Sequence, residues 1–237
     1  MASREQRGSV RTAVVWDALE AALAGGPRDV VDLGGGTGGF AVRLADSGHR
    51  VRVVDPSPDA LAALSRRAQE VGLDVSGLQG DVTDLVDVVG AASADVVLCH
   101  GVLEVVDPAL ALARVGEVLR PGGLLSLVVG QRHAAVLARA MAGHFQQARG
   151  LLDGQEPLDA RTGRRFTAAE LATLLTEAGF VTTTVHGVRV FADLVPAALV
   201  DLEPGAAAAL VELERAVAGR AEYLPLATQV HVLAHRA

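Results

Sequence analysis

The run Val30-Val31-Asp32-Leu33-Gly34-Gly35-Gly36-Thr37-Gly38 decides the fold. A buried strand gives way to a glycine turn, and the turn opens a helix that continues over 39–46. Glycines in such a turn let the backbone pass close to a ligand where any side chain would intrude. Asp55 lies nineteen positions after Gly36, at the end of the next apolar strand, 50–55. Strand, glycine turn, helix and an acidic residue at the next strand end together hold a nucleotide-like ligand by its ribose.

Strand and helix patterns alternate on both sides of this run. A leading helix is expected over 10–23. After the second strand, Leu61, Leu64, Ala68 and Val71 fall on one face of a helix over 58–71. Short strands follow at 75–79 and 95–99, the second a continuous apolar run suited to a central parallel position. Asp107-Pro108 opens a helix to about Leu119, with proline in its first turn. Pro121-Gly122-Gly123 stops that helix before a fifth strand at 124–129.

Beyond residue 130 the rhythm changes. An Ala-rich helical stretch covers 131–152, and Thr167-Ala168-Ala169-Glu170 has the form of a capping box. A strand is expected at 180–190, a second helical insertion at 193–219 and a last strand at 228–234. Alternating strands and helices predict an α/β fold, a doubly wound, seven-stranded, mostly parallel sheet, with helical insertions after the fifth and sixth strands. The expectation is one domain over 1–237, its ligand at the carboxyl ends of the first strands, with 131–165 and 193–219 as lid or substrate insertions.

The bulk composition narrows the function classes. The 237 residues are 50% hydrophobic, enough for one sizeable core, and the net charge of -7 argues against a broad basic surface. All 21 basic residues are arginine, and lysine, isoleucine and asparagine are missing, as a GC-rich genome would produce. The arginine excess is therefore discounted as a signal of function. One cysteine, Cys99, has no internal partner and fits a reducing cytoplasm. The polar start lacks an apolar signal core, and no apolar run of about eighteen residues predicts a membrane span. His and Cys do not repeat at ligand spacing, so no metal is expected.

Gly34, Gly36 and Gly39 also fit G-x-G-x-x-G, the pattern of a nicotinamide dehydrogenase, which is weak alone. Three further features favour another reading. Asp32 stands two residues before Gly34, so the loop reads acidic-x-Gly-x-Gly-x-Gly. Asp81-Val82 follows the third strand, and Leu119-Arg120-Pro121-Gly122-Gly123 precedes the fifth. With these, the chain resembles the class I S-adenosylmethionine-dependent methyltransferases, whose Rossmann-like fold places an acidic side chain and a backbone group against adenine at the position of Asp81-Val82. Such a donor has a sulfonium and an amino acid tail in place of a pyrophosphate. It needs close backbone approach at Gly34 and Gly36 and a carboxylate for the ribose at Asp55.

The resemblance extends further. The stretches 100–108, 118–127, 141–145, 187–191 and 210–214, with Tyr223 and His231, are similar to the tRNA 5-carboxymethoxyuridine methyltransferase family, from about Arg11 to the C-terminus. It departs from that family at Gly130 and Gln131, where tyrosine and asparagine are common. The resemblance implies S-adenosyl-L-methionine as cofactor and cofactor contacts at Arg11, Gly34, Gly35, Asp55, Val82 and His100. Arg11 would reach the cofactor carboxylate, a task that suits the bidentate guanidinium; its other reading is a solvated helix face. It also implies tRNA as partner and a carboxylate acceptor, which is ionised at neutral pH and needs no general base. An arginine should then hold that carboxylate, and Arg132 and Arg189 are the candidates. A small-molecule acid, hydroxyl or amine is the alternative acceptor; for a hydroxyl or amine, His133 or His144 would serve as base. A third reading is a protein that binds the cofactor without turnover. Arg161, Arg164 and Arg165 form the one dense basic cluster, either a phosphate contact or a solvated loop.

Overall fold

A computed structural model describes residues 4–154 and 163–237, and for 4–11, 197, 201 and 202 the backbone alone. Its strands are β1 (Asp29–Leu33), β2 (Arg50–Asp55), β3 (Val75–Gln79), β4 (Ala94–His100), β5 (Leu119–Gly130), β6 (Phe180–Val188) and β7 (Gln229–Arg236). The helices are α1 (Arg4–Leu23), α2 (Ala41–Asp46), α3 (Pro58–Glu70), α4 (Leu85–Val89), α5 (Pro108–Val118), α6 (Arg132–Met141), α7 (Phe145–Leu152), α8 (Ala168–Glu177), α9 (Ala197–Leu202) and α10 (Ala206–Ala218). The seven strands form one sheet in the order β3-β2-β1-β4-β5-β7-β6. The pairs β1–β2, β1–β4, β2–β3 and β4–β5 are parallel, as the alternating pattern predicts. The order reverses between β1 and β4, which is the topological switch point of such a sheet.

Two compact units divide the chain. One comprises 23–128, 171–184 and 232–237; the other comprises 1–22, 129–170 and 185–231. The first unit's core is the apolar run of its central strands: Val30, Val31, Val53, Val54, Val97, Leu98 and Cys99 are fully buried. β3 takes the edge and is half exposed, which its Ser76, Gly77 and Gln79 tolerate. Local chemistry sets the helix starts. Ser57 caps α3 by accepting from Ala60 N, and Asp107 caps α5 by accepting from Leu110 N at 2.8 Å; each is followed by proline in the first turn.

Four expectations are corrected. α3 ends at Glu70, so Val71 lies past the helix and is exposed. The fifth strand begins at Leu119, not 124. Pro121-Gly122-Gly123 sits inside it as an irregularity, and the pairing jumps from Ala94–Leu119 to Val96–Leu124. The stretch 131–152 is two helices, broken at 142–144 where Gly143 has φ +77°. The sixth strand stops at Val188, because Arg189 turns to φ +61°.

The second unit carries a buried carboxylate that explains this last turn. Glu214 of α10 is fully buried and accepts from Val190 N (2.9 Å), Phe191 N (2.8 Å) and Ala192 N (2.7 Å). Three backbone donors that leave the strand thereby find one charged acceptor. Val190, Val217 and Ala227 pack beside it, with Phe191 and Tyr223 against them. In the same unit the capping box forms as predicted: Glu170 N donates to Thr167 Oγ1, and Thr167 N donates back to Glu170 Oε2 at 2.7 Å. Glu214→Ala leaves three amides, one buried and two half-buried, without their charged acceptor, and we expect a loss of about 3 kcal/mol. A thermal-shift measurement checks this; an unchanged midpoint would refute the role given to Glu214.

Candidate cofactor site

The parallel strands deliver a row of residues to the sheet's carboxyl edge. In sheet order these are Asp81 after β3, Asp55 closing β2, Gly34 after β1 and His100 closing β4. All belong to the first unit. The glycine loop is tied to β2 at two points: Gly34 N donates to Val54 O at 2.7 Å, and Gly36 N donates to Asp55 Oδ2 at 2.9 Å. Ser57 N holds the other Asp55 oxygen at 2.9 Å. The loop closes on itself through Gly38 N to Gly35 O.

Each glycine of the acidic-x-Gly-x-Gly-x-Gly motif answers a separate constraint. Gly34 has φ +70°, and a Cβ there would strike Val102 at 2.7 Å. A Cβ on Gly35 would lie 2.5 Å from Asp32 Oδ2. Gly36 has φ +55°. Gly38 has φ +78°, and a Cβ would collide with Leu64 of α3. Gly39, the third glycine of the dehydrogenase pattern, has open space around it. In a dinucleotide fold the third glycine permits close helix packing; here Gly38 does that, so the geometry follows the other motif.

Asp32 and Asp55 are both buried beneath the loop. Burial, and then the neighbouring Asp55 charge, push the Asp32 carboxyl up to about 7. Asp81 is exposed, and its Oδ1 accepts from Thr83 Oγ1 (2.6 Å) and Thr83 N (2.7 Å), which hold it below the usual carboxylate range. Among the described residues no cation pairs with Asp32, Asp55 or Asp81. The amino ends of the same strands differ: Arg50 meets Asp29 at 2.6 Å, and Arg120 bridges Asp95 (2.7 Å) and Asp29 (3.1 Å). The carboxyl edge thus holds acidic side chains without a neutralising cation, Asp32 among them ionising only near neutral pH, which suits a cationic ligand and opposes a pyrophosphate.

Val82 is buried beside Asp81. His100 Nε2 lies 2.9 Å from Ser126 Oγ, and Phe40 packs edge-on against its ring. Burial pushes His100 down to about 3, so the ring is neutral at physiological pH. Ser126 and Phe40 escaped the sequence reading, since one is an unremarkable residue inside a strand and the other a lone aromatic after the loop. Arg11 lies in α1, but its side chain is outside the described residues, as is Arg161 of the basic cluster.

Arg132 and Arg189 both lie in the second unit, and both are already paired. Arg132 meets Glu170 at 2.8 Å and donates to Arg165 O; Arg189 meets Asp193 at 2.5 Å. His133 and His144 are exposed. Among the described residues no group of three or more His, Cys, Asp or Glu side chains could hold a metal ion, and no helix is long and apolar enough to cross a membrane.

Comparison with known proteins shows the family. Residues 31–127 match the Methyltransferase domain family. The chain is 30% identical to a tRNA 5-carboxymethoxyuridine methyltransferase of Escherichia coli, over 97% of this chain and 89% of that protein. It belongs to the S-adenosylmethionine-dependent methyltransferases. A ubiquinone biosynthesis O-methyltransferase of Azorhizobium caulinodans is 31% identical to this methyltransferase over 67% of its chain and 60% of the relative. A solved S-adenosylmethionine-dependent methyltransferase from Mesorhizobium loti shares the fold, with a TM-score of 0.63 at 22% identity, covering 94% of this chain and 98% of that one.

The methyl donor is S-adenosylmethionine, and the edge fits it. The glycines of the loop put no side chain between its backbone and a ligand, each Asp55 oxygen accepts one backbone N–H and has capacity for a further bond, and the acidic edge complements a sulfonium and an ammonium. When bound, the donor supplies an activated methyl group, and the protein supplies alignment. Gly35→Ala should displace Asp32 and weaken donor binding by about tenfold or more, roughly 1.4 kcal/mol. Gly39→Ala should leave donor binding unchanged in the same titration. Equal effects of the two substitutions would contradict the assignment of the loop.

Proposed function

We propose that this methyltransferase forms the methyl ester of a 5-carboxymethoxyuridine in tRNA, in the cytoplasm. The observation that carries the reading is the 30% identity to the Escherichia coli protein across 97% of the chain, which takes in both insertion segments, 131–165 and 193–219. Within it, Gly34, Gly35 and Gly36 give the donor close backbone approach, Asp55 binds the ribose, Asp81 and Val82 flank the adenine, and Asp32 and Arg11 face the amino acid tail. His100 borders the site as a neutral ring.

The chemistry asks little of the protein in acid–base terms. The acceptor carboxylate is ionised at neutral pH. Its oxygen forms the bond to the methyl carbon as the carbon–sulfur bond breaks, and that electron pair stays on sulfur. Neutral His100 neither competes as a nucleophile's base nor adds positive charge beside a sulfonium. Arg132 and Arg189, through Glu170 and Asp193, anchor the two insertions that carry acceptor recognition. The whole chain acts as one methyltransferase in this reading. The A. caulinodans relative supports a second reading, methylation of a small-molecule hydroxyl.

Purified protein, labelled donor and tRNA bearing the unesterified base decide between them. Label in a tRNA nucleoside that mild alkali removes supports the ester; label only in a small-molecule extract overturns the tRNA reading. The Asp32 carboxyl supplies a separate test. A cation bound beside it lowers its pKa from about 7, so donor binding near pH 7 releases a proton. Donor affinity should therefore rise between pH 6 and pH 8 by more in the wild type than in Asp32→Asn. Identical pH profiles would refute the contact.

A further inference from the structure

The second unit contains a cavity of about 790 Å³, within the range that holds a small-molecule ligand. Its polar wall includes Arg139 of α6, Gln146 and Gln147 of α7, and Arg165; Leu151, Leu194 and Leu226 supply apolar surface. Asp193 also lines it, but that carboxylate is bound to Arg189. Among the described residues no carboxylate pairs with Arg139, which sits in the last turn of its helix. The cavity is thus electropositive, with two side-chain amides beside the cation. A carboxamide offers both donors and an acceptor, the complement of a pyrimidine base edge.

The surface around this helix pair has matching chemistry. Met141 and Phe145 are each 70% exposed at the break between α6 and α7. Exposed aromatic side chains are the platforms on which unpaired bases stack. Residues 130–154 hold three arginines against one aspartate, in a chain of net charge -7. Arg149 is exposed and lies 3.9 Å from Asp153, a loose pair that a phosphate can displace.

We propose that this cavity receives one unstacked base of a single-stranded RNA loop. Arg139 meets the base's carboxylate, Gln146 and Gln147 meet its edge, and Phe145 stacks on the neighbouring base. This inference rests on the tRNA reading above and names the residues that carry it. It also moves the carboxylate contact from Arg132 and Arg189, which are already paired, to Arg139.

The test uses the full chain and two anticodon stem-loop RNAs, one with 5-carboxymethoxyuridine and one with plain uridine. The wild type should bind the carboxylated RNA about tenfold more tightly, as a charge-assisted contact provides. Arg139→Ala should abolish that preference and raise KM for ester formation, with donor affinity unchanged, and Arg139→Lys should restore part of the preference. Phe145→Ala should weaken both RNAs equally. If the wild type esterifies the stem-loop but Arg139→Ala keeps the full preference and KM, the inference is overturned while the tRNA reading stands. If the wild type neither binds nor esterifies the stem-loop, the tRNA reading fails and the inference fails with it.

Discussion

The carboxyl group of Asp32 lies where a side chain on Gly35 would have to be, and much of the site depends on that contact. Because Asp32 fills the space under the loop, residue 35 must be glycine. Because Gly36 N then reaches Asp55, the loop is held to the end of β2. Because Gly38 lies against Leu64, α3 can pack beneath the same turn. One short segment thereby couples two buried carboxyl groups, a strand end and a helix, and leaves its backbone open where a donor must approach.

Charge divides the first unit along its strands. Arg50 and Arg120 neutralise Asp29 and Asp95 at the amino ends, which stabilises the sheet without creating a site. The carboxyl ends carry three acids and a neutral histidine, and burial raises the Asp32 pKa to about 7. The second unit has the opposite bias around α6 and α7. The cationic methyl donor is thus matched by surface of the other sign, and the proposed carboxylate acceptor would be as well.

The strands and the glycine loop were legible because their information is local. The apolar runs that form β1, β2 and β4 and the spacing from Gly36 to Asp55 stand in consecutive residues. So do the Asp107-Pro108 and Thr167–Glu170 caps. What escaped depends on partners far away in sequence. Arg132 is held by Glu170, thirty-eight residues on, which periodicity does not reveal. Glu214 reads as one more acidic residue of a helix until three amides from 190–192 converge on it. The break at 142–144 was hidden by an Ala-rich stretch with good helix propensity on both sides; a left-handed glycine there outweighs it.

The most direct measurement is the amide NMR response of the glycine loop to S-adenosylhomocysteine, with a nicotinamide dinucleotide as comparison. The account predicts saturable, one-to-one shifts of the Gly34 and Gly36 amides with S-adenosylhomocysteine, lost in Asp55→Ala, and none with the dinucleotide. Shifts with the dinucleotide alone, or no response at Gly36 to S-adenosylhomocysteine, would contradict it.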